Sequence, residues 1–133
     1  MVAAPPPCIA PVDRGAVPVW ARTGFSERVP RLAHVRSRDG RIVALLFGDP
    51  LTAPARPRRA NKILWVARRP YAGPATLRIR AQRMLGSRAV GAPVVRSLDV
   101  GPSILDLPAA GCWRLTLHWS NRTDTLDLRY RQR

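Results

Sequence analysis

Several residue types are nearly missing from this chain. Among 133 residues, Lys62 is the only lysine and Glu27 the only glutamate; His34 and His118 are the only histidines, and Cys8 and Cys112 the only cysteines. Each scarcity excludes something. Two histidines and two cysteines, with no CxxC, HxH or HxxxH spacing, do not spell out a metal site, so no metal or cofactor is expected. The remaining carboxylates, Asp13, Asp39, Asp49, Asp99, Asp106, Asp124 and Asp127, fall mostly in turn-like contexts where aspartate bonds the backbone. No two of them can be nominated as the facing pair of a glycosidase. Glycine-rich phosphate loops of the GxGxxG or GxxxxGK[ST] kind are absent. No apolar run approaches the ~18 residues of a membrane-spanning helix. Helical periodicity is also missing, except for a weak candidate at Ala81 to Val90 that Gly86 and Gly91 undermine.

What the chain does have is arginine, proline and short apolar stretches. The formal charge is +15, and 22 of the 23 basic residues are arginine. Two readings compete. Arginine together with abundant Ala, Pro, Val and Gly is the composition that GC-rich codons produce. The alternative is a polyanionic partner: nucleic acid, acidic glycan or anionic lipid headgroups. The arginines are scattered over the whole length, which favours the first reading over a dedicated nucleic-acid role. Fourteen prolines and nine glycines divide the chain into short segments. Its length is that of one domain, enough to bury a core without a metal or a dense disulfide framework.

The clearest pattern is at the C-terminal end. Trp113, Leu115, Leu117 and Trp119 alternate with Arg114, Thr116, His118 and Ser120, and Leu126, Leu128 and Tyr130 alternate with Thr125, Asp127 and Arg129. Period-two alternation on both sides of a Ser/Asn/Thr/Asp turn predicts an antiparallel hairpin with one buried face. Further strands are expected at 32–36 and 41–47 around Asp39-Gly40, a strong hairpin-turn signal. Others are expected at 62–68, at 76–82 after the turn Pro70 to Pro74, at 94–100 and at 103–107. The stretch from Asp49 to Asn61 reads as a long connection too rich in proline for regular structure. About seven or eight short strands predict an all-β sandwich. Its halves would meet around Trp65, Leu77, Ile79, Leu115, Leu117, Leu126 and Leu128.

Residues 1–28 read as a Pro-rich arm ahead of a sandwich at 29–133. Trp20 and Phe25 are too apolar for a free tail, so the second half of the arm should dock. Met1 to Pro7 lacks the basic and apolar regions of a signal peptide. Either the chain is cytoplasmic or its targeting segment is not on it. If the protein is exported, Cys8 and Cys112 should form one disulfide that ties the arm to a strand mouth. Closing so long a loop would stabilise by at most ~4.7 kcal/mol. The competing reading is two free thiols, and the disulfide is preferred because little else holds the arm.

Asn61-Lys-Ile-Leu-Trp-Val66, Pro108-Ala-Ala-Gly-Cys-Trp-Arg-Leu-Thr-Leu117 and Gly40-Arg-Ile-Val-Ala-Leu-Leu-Phe-Gly-Asp-Pro-Leu51 give the chain a familiar look. Over residues 20–130 it resembles small, largely uncharacterised immunoglobulin-like β-sandwich proteins of bacterial, in particular actinobacterial, cell envelopes. In that group a Trp sits on a central strand and a Gly-Cys-Trp step opens a late one. The resemblance implies an immunoglobulin-like fold and an extracytoplasmic place. It says little of function, since the fold hosts many unrelated roles.

The arginines are the remaining candidates for a site. Arg78 and Arg80 share an outward face, and Arg68 would join them if the Trp65 strand neighboured the Leu77 strand. Arg129, Arg131 and Arg133 form a second outward row, with Arg114 expected opposite Arg131. The hairpin's aromatic residues lie on the other face, which argues against base stacking on single strands. Pairing Trp119 with Leu126 would set His118 opposite Asp127, as a surface pair rather than a catalytic dyad, because no nucleophile faces the ring. The expectation is therefore a non-catalytic binding or structural module of the envelope with a basic face. Its partner would be an anionic surface or a protein. The alternative is a cytosolic accessory that binds nucleic acid or another polyanion.

Overall fold

The computed structural model describes residues 5–22, 24–71 and 75–133. Residues 1–4 and Thr23 of the expected arm, and residues 72–74 of the expected turn at 70–74, lie outside the described residues. Ten strands make up two sheets, and the only helical turn among the described residues is a 3-10 turn at Val19–Ala21. The smaller sheet holds β1 (His34–Arg36), β2 (Ile42–Leu46), β4 (Lys62–Ala67) and β8 (Pro102–Ile104), antiparallel in the order β1-β2-β4-β8. The larger one runs β3-β10-β9-β5-β6, from β3 (Thr52–Ala53), β10 (Arg122–Gln132), β9 (Gly111–Trp119), β5 (Thr76–Leu85) and β6 (Arg88–Ala89). On the β6 side of β5, β7 (Val94–Asp99) pairs with it as well. Only the short β3–β10 contact is parallel.

The sandwich follows from the alternation. Leu77, Ile79 and Ala81 on β5 point inward with Trp113, Leu115, Leu117 and Trp119 on β9 and Leu126, Leu128 and Tyr130 on β10. They meet Ile42, Ala44, Ile63 and Trp65 of the smaller sheet in one core. The buried polar tips in this core are mostly satisfied: Trp65 Nε1 donates to Ser103 Oγ (3.1 Å), Trp113 Nε1 to the Ala109 carbonyl (2.9 Å) and the Tyr130 hydroxyl to the Leu105 carbonyl (2.6 Å). Strand β2 is buried along its whole length, as its unbroken run Ile-Val-Ala-Leu-Leu requires. Its outward Val43 and Leu45 are covered by Val17 and Ala21, with Trp20 and Phe25 packed beside them. The second half of the arm is thus a lid on the smaller sheet.

Three expectations need correction. The weak helix at Ala81 to Val90 is the end of β5, a two-residue turn and β6, with Met84 opposite Ala89 and Leu85 opposite Arg88. Gly86, at φ +58°, takes the left-handed conformation that the turn needs. The Gln82 amide fastens this hairpin by donating to the carbonyls of Val90 (3.0 Å) and Gly91 (3.1 Å). The proline-rich connection contains β3, held by the buried Asn61 amide, which accepts from Thr52 N–H (2.9 Å) and donates to Thr52 C=O (2.8 Å). A side chain there takes the part of a neighbouring strand.

The third correction concerns the closing hairpin. Its turn is only Ser120-Asn121, so Trp119 pairs with Arg122, His118 with Thr123 and Asp127 with Arg114. Ser120 reaches φ +52° to close it. The expected partner of Trp119 was four residues too far along β10. Because the offset is even, inward and outward faces are unchanged, and only the cross-strand neighbours differ.

Candidate anion-binding face

The outer face of the larger sheet carries most of the charged side chains that alternation turns outward. One half of that face is closed. Cys8 and Cys112 form a disulfide, with Cα atoms 6.1 Å apart and the two residues 104 positions apart in sequence. The bond brings the first part of the arm across β9, where Met84 packs against it. Cys8 N–H donates to the Gly86 carbonyl (2.8 Å). Arg114 then acts as a clamp. Its Nε and Nη2 donate to Asp127 at 2.9 and 3.0 Å, while Nη1 and Nη2 donate to the carbonyls of Pro6 (2.8 Å) and Pro7 (3.2 Å). Asp127 in turn accepts the Ile9 N–H at 3.0 Å. The hydrogen bonds to Asp127 hold the Arg114 guanidinium even more firmly protonated than usual. Arg114 is therefore a tether for the arm, and the row it was expected to share with Arg131 does not exist.

The other half is open. Arg78 and Arg80 of β5 lie directly beside His118 and Thr116 of β9. With Thr76, Val95 and the turn residue Ser120 they line a shallow depression of about 500 Å³. Both arginines are exposed, and neither forms an ion pair with a described residue. His118 Nδ1 and Thr123 Oγ1 share a hydrogen bond of 2.9 Å. Since Asp127 is engaged with Arg114, the His118–Asp127 pairing is overturned, and with it the geometry of a His–Asp dyad. His34 is buried on β1 in the other sheet, its Nδ1 donating to the Leu32 carbonyl (2.8 Å). No three His, Cys, Asp or Glu side chains converge on a metal position among the described residues.

The other expected site residues are dispersed. Arg129 and Arg131 line a separate depression of about 270 Å³ with the Arg14–Asp49 ion pair. Arg133 Nη1 donates to the Ala55 carbonyl (3.1 Å). Arg68 does not join Arg78 and Arg80, because β4 and β5 belong to different sheets. Its guanidinium sits over the Trp20 ring, 5.8 Å from the centroid. There it lines a third depression with Arg41, Arg69 and Arg122. Those three arginines were not singled out in sequence, and no local pattern could have done so, since they come from the ends of strands in different sheets.

Comparison of the chain with protein-family models, curated proteins and solved structures finds no match.

Proposed function

We propose that this protein is a non-catalytic binding module of the bacterial cell envelope, an immunoglobulin-like sandwich that presents the Arg78/Arg80 face to an anionic surface or an acidic protein partner. One observation carries the reading. On a single sheet face, the arginine beside the arm is neutralised by Asp127, whereas Arg78 and Arg80 stay exposed in an open depression, in no ion pair with a described residue. Guanidinium groups left free in this way suit carboxylate, sulfate or phosphate groups. The extracytoplasmic placement is supported by the disulfide, a bond characteristic of oxidising compartments. No helix among the described residues is long and apolar enough to cross a membrane. A Trp65 strand deep in the core and a Gly111-Cys-Trp113 strand opening support the likeness to the envelope sandwiches.

The test is binding to vesicles containing phosphatidylglycerol, and separately to duplex DNA, over a range of salt. Each arginine near an anionic surface contributes about 1 kcal/mol. Arg78→Gln/Arg80→Gln should therefore weaken vesicle binding about thirtyfold and flatten its salt dependence, with stability within about 0.5 kcal/mol of the parent. Vesicle binding that is unchanged in this variant sinks the assignment. If only DNA binding responds, with a salt slope reduced by about two, the polyanion-accessory reading takes its place.

A further inference from the structure

We propose that a second, smaller site, at the hairpin end of the sandwich, holds a single phosphate group between arginines contributed by both sheets. The topology builds it. Arg41 precedes β2 and Arg68 follows β4, and the Arg68 N–H donates to the Arg41 carbonyl at 2.7 Å. Arg69 follows directly. From the larger sheet, the two-residue turn after Trp119 brings Arg122 back, and its Nη2 donates to the Pro70 carbonyl at 3.2 Å. Four arginines, Pro70 and Trp119 together line a depression of about 160 Å³.

Two features point to an anionic ligand. The first is uncompensated charge. None of the three ion pairs among the described residues involves these four arginines. Asp124, the carboxylate that meets this end of the fold, is buried. It accepts from Ser37 Oγ (2.6 Å) and from the backbone N–H groups of Asp39, Arg41 and Thr125 (3.1, 3.2 and 2.8 Å). It makes no ion pair with any guanidinium of the cluster. Like charges gathered in this way are tolerated best when an anion lies among them.

The second feature is Trp119. It borders this depression as well as the Arg78/Arg80 one, and it is 1% exposed. Trp65 and Trp113 each have an acceptor for the indole N–H, whereas Trp119 Nε1 is sealed from solvent with none among the described residues. A buried donor left unmatched is costly, and a phosphate oxygen at the base of the depression would supply its acceptor. Stacking holds two of the guanidiniums in place beforehand: Arg68 over Trp20 at 5.8 Å, and Arg69 over Tyr71 at 5.1 Å. A depression of this size admits one tetrahedral anion.

This site shares no arginine with the Arg78/Arg80 depression but shares its Trp119 border, so the Arg78/Arg80 variant is what separates the two in the test. The readout is the Trp119 indole N–H resonance, assigned with Trp119→Phe. It is followed while inorganic phosphate, or in a second series glycerol 1-phosphate, is added at constant ionic strength. A saturable shift is expected. Its Kd should rise about tenfold in Arg122→Gln and again in Arg69→Gln. Arg78→Gln/Arg80→Gln should leave it within about twofold. Saturation by inorganic phosphate alone assigns the site to the free ion; saturation by the monoester, with or without it, assigns the site to a terminal phosphate group. Should Trp119→Phe not fold, calorimetric titration of the arginine variants makes the same comparison. A drift that does not saturate, or that is equal in Arg122→Gln and the parent, overturns the proposal.

Discussion

Arg114 and Arg78 lie on the same face of the same sheet, on adjacent strands, and alternation turns both outward. They have opposite roles. Arg114 meets a carboxylate across the hairpin and two proline carbonyls of the arm, so its donors are spent inside the molecule. Arg78 has His118 across the ladder instead of an aspartate, and no described residue of the arm lines its depression. An outward arginine is thus structural or available according to what crosses it. The strand pattern that places it does not decide which. The same contrast separates the two halves of the face: one is strapped by a disulfide and a bidentate ion pair, the other is open.

Removing the strap should have the largest effect. Reduction, or Cys8→Ser/Cys112→Ser, releases a closed loop whose ends are 104 positions apart in sequence. It should cost between 2 and about 5 kcal/mol in urea unfolding, with ~4.7 kcal/mol as the loop-entropy expectation. The arm's first residues should also become open to proteolysis. A reduced protein as stable and as protease-resistant as the oxidised one would mean that Arg114 and the backbone contacts hold the arm unaided.

Next in size is Asp127→Asn. It leaves a largely buried guanidinium without its counter-charge and takes an acceptor from Ile9. A loss of about 2 kcal/mol is expected, together with partial release of the arm. If stability is unchanged, Arg114 is no more committed than Arg78, and the contrast between the two halves fails.

The third prediction tests the core beneath both halves. Burial raises the Tyr130 hydroxyl pKa far above its ordinary value of about 10. The folded protein therefore keeps the proton that the unfolded chain loses. The stabilisation is complete below about pH 10 and declines above it, by up to about 1.4 kcal/mol per pH unit. Tyr130→Phe should lose the hydrogen bond to Leu105 but flatten this alkaline decline. An equally steep decline in the variant would place its origin elsewhere.

Much of the fold was legible because it rests on a local period. Alternation at 76–82, 113–119 and 126–130 assigns the inward side chains of those segments, though not Asp124, and the observed core contains all seven residues expected to join the two halves. With only two cysteines the disulfide had one possible partner pair, and chemistry needed only proximity. The candidate site was less legible. Arg78 and Arg80 lie together on one depression, while Arg68, Arg129, Arg131 and Arg133 lie elsewhere. The cluster of Arg41, Arg69 and Arg122 with Arg68 had no signature at all.

The physical reason is one of range. A side chain's face follows from the two-residue repeat of a strand, and the sequence by itself determined it, along with the single cysteine pair and the hairpin-rich architecture. A side chain's partner depends on how many residues a turn takes and on which sheet a strand joins. Two turn residues after Trp119, rather than a longer loop, gave Asp127 to Arg114 and deprived His118 of it. The membership of β4 in the smaller sheet took Arg68 away from Arg78. These are non-local outcomes of packing, and only the tertiary structure decided which arginines are spent and which remain free.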